Sequence, residues 1–238
     1  MDHNTDFVKI LTQWNTEFDE HILEQFEKYY DLLISWNKKI NLTAITEKND
    51  VYIKHFADSI AMLQYTDISG KTLIDVGSGA GFPGIPLSIM DPSCKVVLID
   101  SLRKRTDYLE TVKLELGLSN VTIINGRAED LARDEGLREK SDIAVSRAVA
   151  DLSVLSEYCL PFVNINGTFI SYKSGNVDDE AESARGAIDI LGGKTDRIER
   201  YVIPFTDYER SLVYINKISS TIDRYPRRAG KPEKSPLH

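Results

Sequence analysis

Cysteine is nearly absent from this sequence: Cys94 and Cys159 are the only two in 238 residues. They stand far apart, with no CxxC pair and no histidine cluster beside them, so neither a disulfide framework nor a zinc site is indicated. A reducing compartment, the cytoplasm, is the expected setting. No apolar run reaches the length that crosses a bilayer, and the opening MDHNTDFVKI lacks the charged-then-apolar order of a secretory signal. Positive charge is also short. A net charge of −8 argues against a protein that coats polyanions, because such binding rests on many Lys and Arg displacing counterions. The shortage is uneven: residues 1–70 carry 6 Lys against 12 Asp and Glu, whereas residues 200–238 carry 8 Lys and Arg against 4 acids. Any contact with nucleic acid should therefore concentrate near the C-terminal end.

What is present suffices for a real core: 42% of the residues are hydrophobic, and the length suits one large domain or a main domain with an appendage. From Phe7 the apolar positions Phe7, Ile10, Leu11, Trp14, Phe18, Ile22 and Phe26 step by three and four, followed by Tyr29, Tyr30, Leu33 and Trp36. That spacing predicts one or two amphipathic helices. After NKKINLT, the run EKNDVYIKHFADSIAML reads as a further helix with Thr46 as its cap. From Thr72 the texture changes. The short β-rich runs TLIDV, KVVLID, VTIIN, DIAVS and GTFISYK alternate with helix-length segments, which predicts βαβ units and a parallel sheet covered on both faces. DRIERYVIP and SLVYINKI leave no room for a helix between them and read as a closing antiparallel hairpin. The expected division is a helical segment over 1–68, a sheet domain over 69–220 and a basic, Pro-rich tail over 221–238. That tail reads as loop or as a strap ordered by a ligand.

The stretch TLIDVGSGAGFPGIP carries the main chemical signal. Glycines after the first strand of a βα unit let the backbone approach a ligand, and the next helix offers unpaired N–H groups. A dinucleotide fingerprint would place a glycine where Phe82 stands, and a Walker loop would end in Gly-Lys-Ser/Thr, which is missing. The alternating Gly77, Gly79 and Gly81, preceded by Asp75, instead resemble motif I of the class I S-adenosylmethionine-dependent methyltransferases. A second acid then belongs at the end of the next strand to grip ribose hydroxyls. Asp100 closes VVLID 25 residues after Asp75, and Ser101 beside it adds a hydroxyl. The bland alternative is a tight turn with Asp100 capping the next helix. Two further positions fall at the same sheet edge. Ala128 and Glu129, in NGRAED, would lie beside an adenine, or else form an ordinary acidic helix start. Ser146 and Arg147, in SRAVADL, come where cofactor and acceptor meet in such enzymes; the alternative for Arg147 is a structural ion pair.

With these residues assembled the chain closely resembles one family, the bacterial 16S rRNA guanine-N7 methyltransferases, also called glucose-inhibited division protein B. The resemblance rests on the ordered set WNKKINLTAI, HFADSIAM, DVGSGAGFPGIPL, LIDSLRKR, GRAED, SRAVADL and YPRRAGKPEKSPL, spread over nearly the whole chain. It implies an α/β enzyme of the Rossmann-like class I type, a mostly parallel seven-stranded sheet with an N-terminal helical extension. It also implies S-adenosylmethionine as cofactor and 16S ribosomal RNA or the small ribosomal subunit as partner. Gly77, Phe82, Ala128, Glu129 and Arg147 would be cofactor contacts, with Asp75, Gly79, Gly81, Asp100 and Ser101 completing the pocket.

The chemistry agrees with that implication. Guanine N7 presents a lone pair at neutral pH, so displacement at a sulfonium methyl needs alignment and desolvation but no general base. The Asp/Asn-Pro-Pro-aromatic motif common in exocyclic-amine methylation is missing from the slot Ser146-Arg147-Ala148-Val149. Cys159, beside Leu160 in a helical run, reads as core and not as a carbon-5 nucleophile. Arg147 is the catalytic candidate, bordering the cofactor and holding guanine O6 or a phosphate while N7 stays free. Arg224, Arg227, Arg228, Lys231 and Lys234, with Tyr225 among them, would clamp RNA or form a solvated tail. Asn41, His55 and Asp58 sit in motifs typical of the family. His55 and Asp58 share a predicted helix face, as a buried structural bond or a catalytic pair. No metal and no membrane partner are expected, and the chain is expected to be monomeric. The rival functions are a small-molecule methyltransferase and a non-catalytic ribosome-binding module.

Overall fold

The computed structural model describes residues 4–147 and 150–238. Ala148 and Val149, in the slot after the fourth strand, lie outside the described residues. The strands are β1 (Thr72–Val76), β2 (Lys95–Asp100), β3 (Val121–Asn125), β4 (Ser141–Arg147), β5 (Val163–Ser174), β6 (Gly193–Val202) and β7 (Glu209–Lys217). They form a seven-stranded sheet in the order β3-β2-β1-β4-β5-β7-β6. β1 to β5 are parallel, and β7 enters antiparallel between β5 and β6. Leu73, Ile74, Asp75 and Val76 are all buried, as continuous runs in a parallel sheet covered on both faces must be. The order reverses between β1 and β4, so the loops leaving these two strands diverge and open a crevice at their carboxyl ends.

In the front piece, helix Thr5–Gln13 is capped by Asn4, which accepts the Phe7 N–H, and helix Glu20–Ile40 by Asp19, which accepts that of Ile22. The latter ends at Asn41, whose φ of 49° is a left-handed stop. The third helical stretch starts at Lys48 behind Glu47, with no side-chain cap. Thr46 therefore does not cap it; its carbonyl takes the Tyr30 hydroxyl instead. This stretch contains a π-helical segment, Tyr52–Ala57.

Aromatic rings join the front piece to the sheet. Phe7 meets Phe26 edge-on at 5.0 Å, and Tyr29 stacks on Phe56 at 5.1 Å. The buried rings share one apolar core with Leu73, Leu98, Leu109 and Val145. Tyr29 also donates from its hydroxyl to the carbonyl of Ala80 at 2.7 Å, so the second helix is bonded directly to the glycine turn. The opposite sheet face is covered by helix Leu152–Cys159, which buries Cys159 as expected, and by Tyr225 of the C-terminal segment.

Candidate active site

The glycine turn after β1 divides its work. Gly77, Gly79 and Gly81 have φ of 77°, 59° and 99°, values that side chains rarely allow. Gly77 and Ser78 donate to the carbonyl of Ile99 at 2.9 and 3.1 Å, which ties the turn to β2. A Cβ at Gly79 would meet only the Gly77 carbonyl oxygen, at 3.8 Å, so this glycine keeps the cleft floor open. Gly81 faces inward, where a Cβ would lie 2.6 Å from the Tyr29 hydroxyl oxygen and 2.8 Å from Ile85 Cγ1.

Beneath the turn Asp75 is fully buried. Its Oδ2 accepts the Gly84 N–H at 2.9 Å, while Oδ1 has no hydrogen-bond partner. Burial pushes this carboxyl up to about 7, against the opposing influence of the Gly84 bond and the Arg147 charge. Asp100 ends β2 at 4% exposure. It accepts from Gly79 N–H at 2.9 Å through Oδ2 and from Leu102 N–H at 2.8 Å through Oδ1, with Arg105 Nη1 at 3.5 Å. A carboxylate has about four lone-pair sites, so Asp100 retains acceptor capacity beyond these bonds.

The facing wall is built around Arg147, the last residue of β4. Its Nη1 lies 2.9 Å from Asp58 Oδ2 and within 3.5 Å of the Lys54 and His55 carbonyls; Nη2 lies 3.4 Å from His55 Nδ1. The guanidinium carbon sits 4.9 Å from the centre of the Phe82 ring, which stacks on His55 at 4.6 Å. The π-helical segment thus turns its carbonyls, His55 and the next residue, Asp58, toward one arginine. Asp58 is held in turn by the Tyr201 hydroxyl at 3.1 Å and Arg210 Nε at 3.3 Å. His55 Nε2 is 2.8 Å from Thr43 Oγ1. Burial first, then the Arg147 charge, pushes His55 down to about 3, so its imidazole is neutral at physiological pH.

Between these walls lies a cleft of about 640 Å³ whose lining includes Gly77, Gly79, Phe82, Asp100, Ser101 and Arg147. Asp75 and Gly81 lie behind it. His55 and Asp58 do not bond to each other; both meet Arg147. Ala128 and Glu129 begin a short helix after β3, outside the cleft lining, and Glu129 Oε1 already accepts the Gly230 N–H at 2.8 Å.

The C-terminal segment is a docked strap. Arg133 and Arg138 donate to the carbonyls of Pro226, Tyr225 and Thr221. Arg227, expected among the RNA contacts, has a partner within the fold: its Nε reaches both oxygens of the buried Glu157 carboxylate at 2.9 and 3.1 Å, and Nη2 adds a 2.5 Å bond. Arg224, Arg228, Lys231 and Lys234 remain exposed. Sequence reasoning missed Thr43, Lys54, Arg105, Tyr201 and Arg210. Arg105 stands inside the quoted LIDSLRKR run, whereas Tyr201 and Arg210 reach the site only through hairpin pairing. Among the described residues no cluster of three or more His, Cys, Asp or Glu is placed to hold a metal.

An open, mostly parallel seven-stranded sheet with this turn after β1 is the class I fold of S-adenosylmethionine-dependent methyltransferases. Solved structures agree on the fold. M. jannaschii TYW2 in complex with AdoMet matches with a TM-score of 0.55 at 16% identity, over 75% of this chain and 80% of its own. A 16S rRNA (adenine(1408)-N(1))-methyltransferase variant from Catenulisporales acidiphilia gives 0.53 at 13% identity, over 69% and 90%. Within that class the chain belongs to the rRNA small subunit methyltransferase G family, whose model matches residues 22–212. The Ribosomal RNA small subunit methyltransferase G of Lachnoclostridium phytofermentans is 49% identical over 238 residues, covering 100% of this chain and 98% of its own. That of Lactobacillus johnsonii is 46% identical over 234 residues, covering 97% and 98%.

Proposed function

We propose that this chain methylates N7 of a guanosine in 16S ribosomal RNA. S-Adenosylmethionine, when bound, supplies a sulfonium methyl open to attack by a ring-nitrogen lone pair. The residues present fit that cofactor: an open cradle at Gly79, an acid with spare acceptor capacity at Asp100, and an unpartnered Asp75 oxygen beneath the turn. Gly77, Gly79, Asp100 and Ser101 would hold it over Asp75, which supports the turn from below, with Phe82 and Arg147 bordering the reacting end. Ala128 and Glu129 would flank the adenine from behind the strap contact.

The observation that carries the reading is the state of the Arg147 wall. His55 is neutral, yet its Nδ1 faces a guanidinium and its Nε2 a hydroxyl, and Asp58 is engaged by Arg147, Tyr201 and Arg210. Among the described residues of this wall, the cleft thus offers fixed positive charge and ring surfaces, while His55 and Asp58 are both engaged and neither is free to take a proton. That arrangement suits a nucleophile whose lone pair is already free. Arg147 would orient the base through O6 or a phosphate while the Phe82–His55 stack excludes water. We assign the activity to the cytoplasm, to a monomer and to a metal-free site. Among the described residues no helix is long and apolar enough to cross a membrane. Mapping N7-methylguanosine in 16S rRNA from cells with and without the gene tests the proposal. A mark lost with the gene and restored by the purified chain is expected; a mark indifferent to the gene refutes the reading.

A further inference from the structure

The tip of the β6–β7 hairpin, residues 203–208, presents an aromatic ring that the fold holds out at a conformational cost. Phe205 is 68% exposed, the most exposed Phe, Tyr or Trp among the described residues, and nearby Val202 is 50% exposed. Its φ is 63°, in the left-handed region that suits glycine and is an outlier for a bulky side chain. Four hydrogen bonds maintain this shape. Ile203 and Thr206 N–H donate to the carbonyls of Tyr208 and Ile203, both at 3.2 Å, the Thr206 hydroxyl donates to the Ile203 carbonyl at 2.8 Å, and Tyr208 N–H donates to that hydroxyl at 3.1 Å. A strained backbone that displays an uncovered ring points to a function outside the fold.

Topology places the tip beside the active cleft. β5 runs parallel to β4, with Arg147 opposite Tyr172, and β7 returns antiparallel, with Arg210 opposite Ser174. The turn before β7 therefore projects from the carboxyl edge of the sheet, where ligands bind in open α/β folds. Side chains complete the link: Arg210 reaches Asp58, and the Tyr208 ring lies under Lys54 Nζ at 4.8 Å and Arg210 Cζ at 5.7 Å. Lys54 and Arg210 line the cleft together with Arg105 and Arg147, a cationic wall suited to a polyanion. The tip itself carries Asp207 and no Lys or Arg, so its contribution is a π-face and not a phosphate contact.

We propose that Phe205 is a stacking wedge for a single-stranded segment of ribosomal RNA, set against a base next to the one delivered to the cleft. The wedge rests on the rRNA substrate proposed above. A base must leave its stack to enter such a cleft, and an aromatic ring at the rim offers its former neighbour a replacement surface.

The test measures equilibrium binding of 16S rRNA to the full chain at several salt concentrations, with S-adenosylmethionine affinity and Tm determined alongside. Phe205→Ala should weaken rRNA binding about 10-fold or more at every salt concentration, with the slope against salt, the cofactor affinity and Tm unchanged. Phe205→Trp should bind as wild type, whereas Lys54→Ala should flatten the salt slope. Phe205→Gly, which suits the backbone, should keep or raise Tm and still bind weakly. Wild-type rRNA affinity in Phe205→Ala overturns the wedge, as does a loss that tracks falling Tm. If the wild-type chain transfers no methyl group to rRNA while Phe205→Ala still weakens binding, the proposed reaction fails and the wedge stands.

Discussion

The front helices and the C-terminal strap both wrap the same sheet, but with a different balance of apolar burial and charge. The front piece is joined by rings and aliphatic side chains sharing a core with the sheet, and its polar contacts are spread from Gln25 and Lys28 on the Glu115–Leu116 carbonyls, through Tyr29 on Ala80, to Asp58 on Arg147. The strap buries Tyr225, Pro226 and Pro232 and is also held by charge: Arg227 on Glu157, Arg133 and Arg138 on its carbonyls, and Glu129 on its Gly230 N–H. Apolar burial ties an element into the cooperative core, whereas charge-assisted bonds at a partly exposed edge are local and sensitive to pH and salt. The front piece therefore forms one wall of the cleft, and the strap braces the sheet domain from behind it.

The strongest way to break this contrast is at the junction of front piece and sheet. Arg147→Ala should lower methyl transfer by about 100-fold or more, because it removes the group joining β4 to the π-helical segment. Circular dichroism should stay native, since Arg210 and Tyr201 still hold Asp58; undiminished turnover would remove Arg147 from the mechanism. Next is Phe56→Ala, which empties a fully buried site touching Tyr29, Tyr52 and Phe26. It should cost about 3–5 kcal/mol in denaturant unfolding and carry the whole chain with it in one transition. A separate early transition would show that the front piece folds apart from the sheet.

On the strap side, Arg227→Ala leaves Glu157 with its side chain 1% exposed and its charge partner gone. We expect a loss of roughly 2–3 kcal/mol, below the range for a fully buried pair because water reaches the arginine side. Proteolysis should then cut first after residue 220. Simultaneous cleavage within the front piece would erase the distinction.

The smallest effects are in pH dependence. His55, in the front piece, is depressed from 6.5 to about 3, and Lys217, at the strap's root, is depressed by burial from 10.5 to about 8. In each case the unfolded chain binds the proton more tightly, so stability climbs with pH between the two values. His55 acts between about 3 and 6.5, and Lys217 between about 8 and 10.5. Asp75, raised by burial from 3.8 to about 7, works in the opposite direction over the lower window, since its contribution is lost as pH rises. Each group is therefore isolated as a difference from wild type. His55→Gln should flatten the Tm profile only below pH 6.5 and Lys217→Met only above pH 8. Overlapping windows would show that the two regions are not electrostatically distinct.

Much of this was legible in advance. The alternation from TLIDV onward, the three glycines and the acid ending KVVLID are local signals, set by backbone sterics and burial within a few residues, and the observed β1–β5 units follow them. The pairings that assemble the site were not legible. Nothing near Arg210 or Tyr201 indicates that β7 inserts between β5 and β6 and so carries both to Asp58. Arg227 reads as an RNA contact by composition, and only the approach of Glu157, 70 positions away, gives it a structural partner.

The sequence by itself determined the class of fold and the positions of the glycine turn and its acids, because strand periodicity, left-handed turns and helix caps are governed by neighbours along the chain. Tertiary structure alone decided which charges became wall, brace or free surface. A charge's role depends on the burial and partners it acquires from distant segments, and those are fixed only when the sheet order and its coverings are complete.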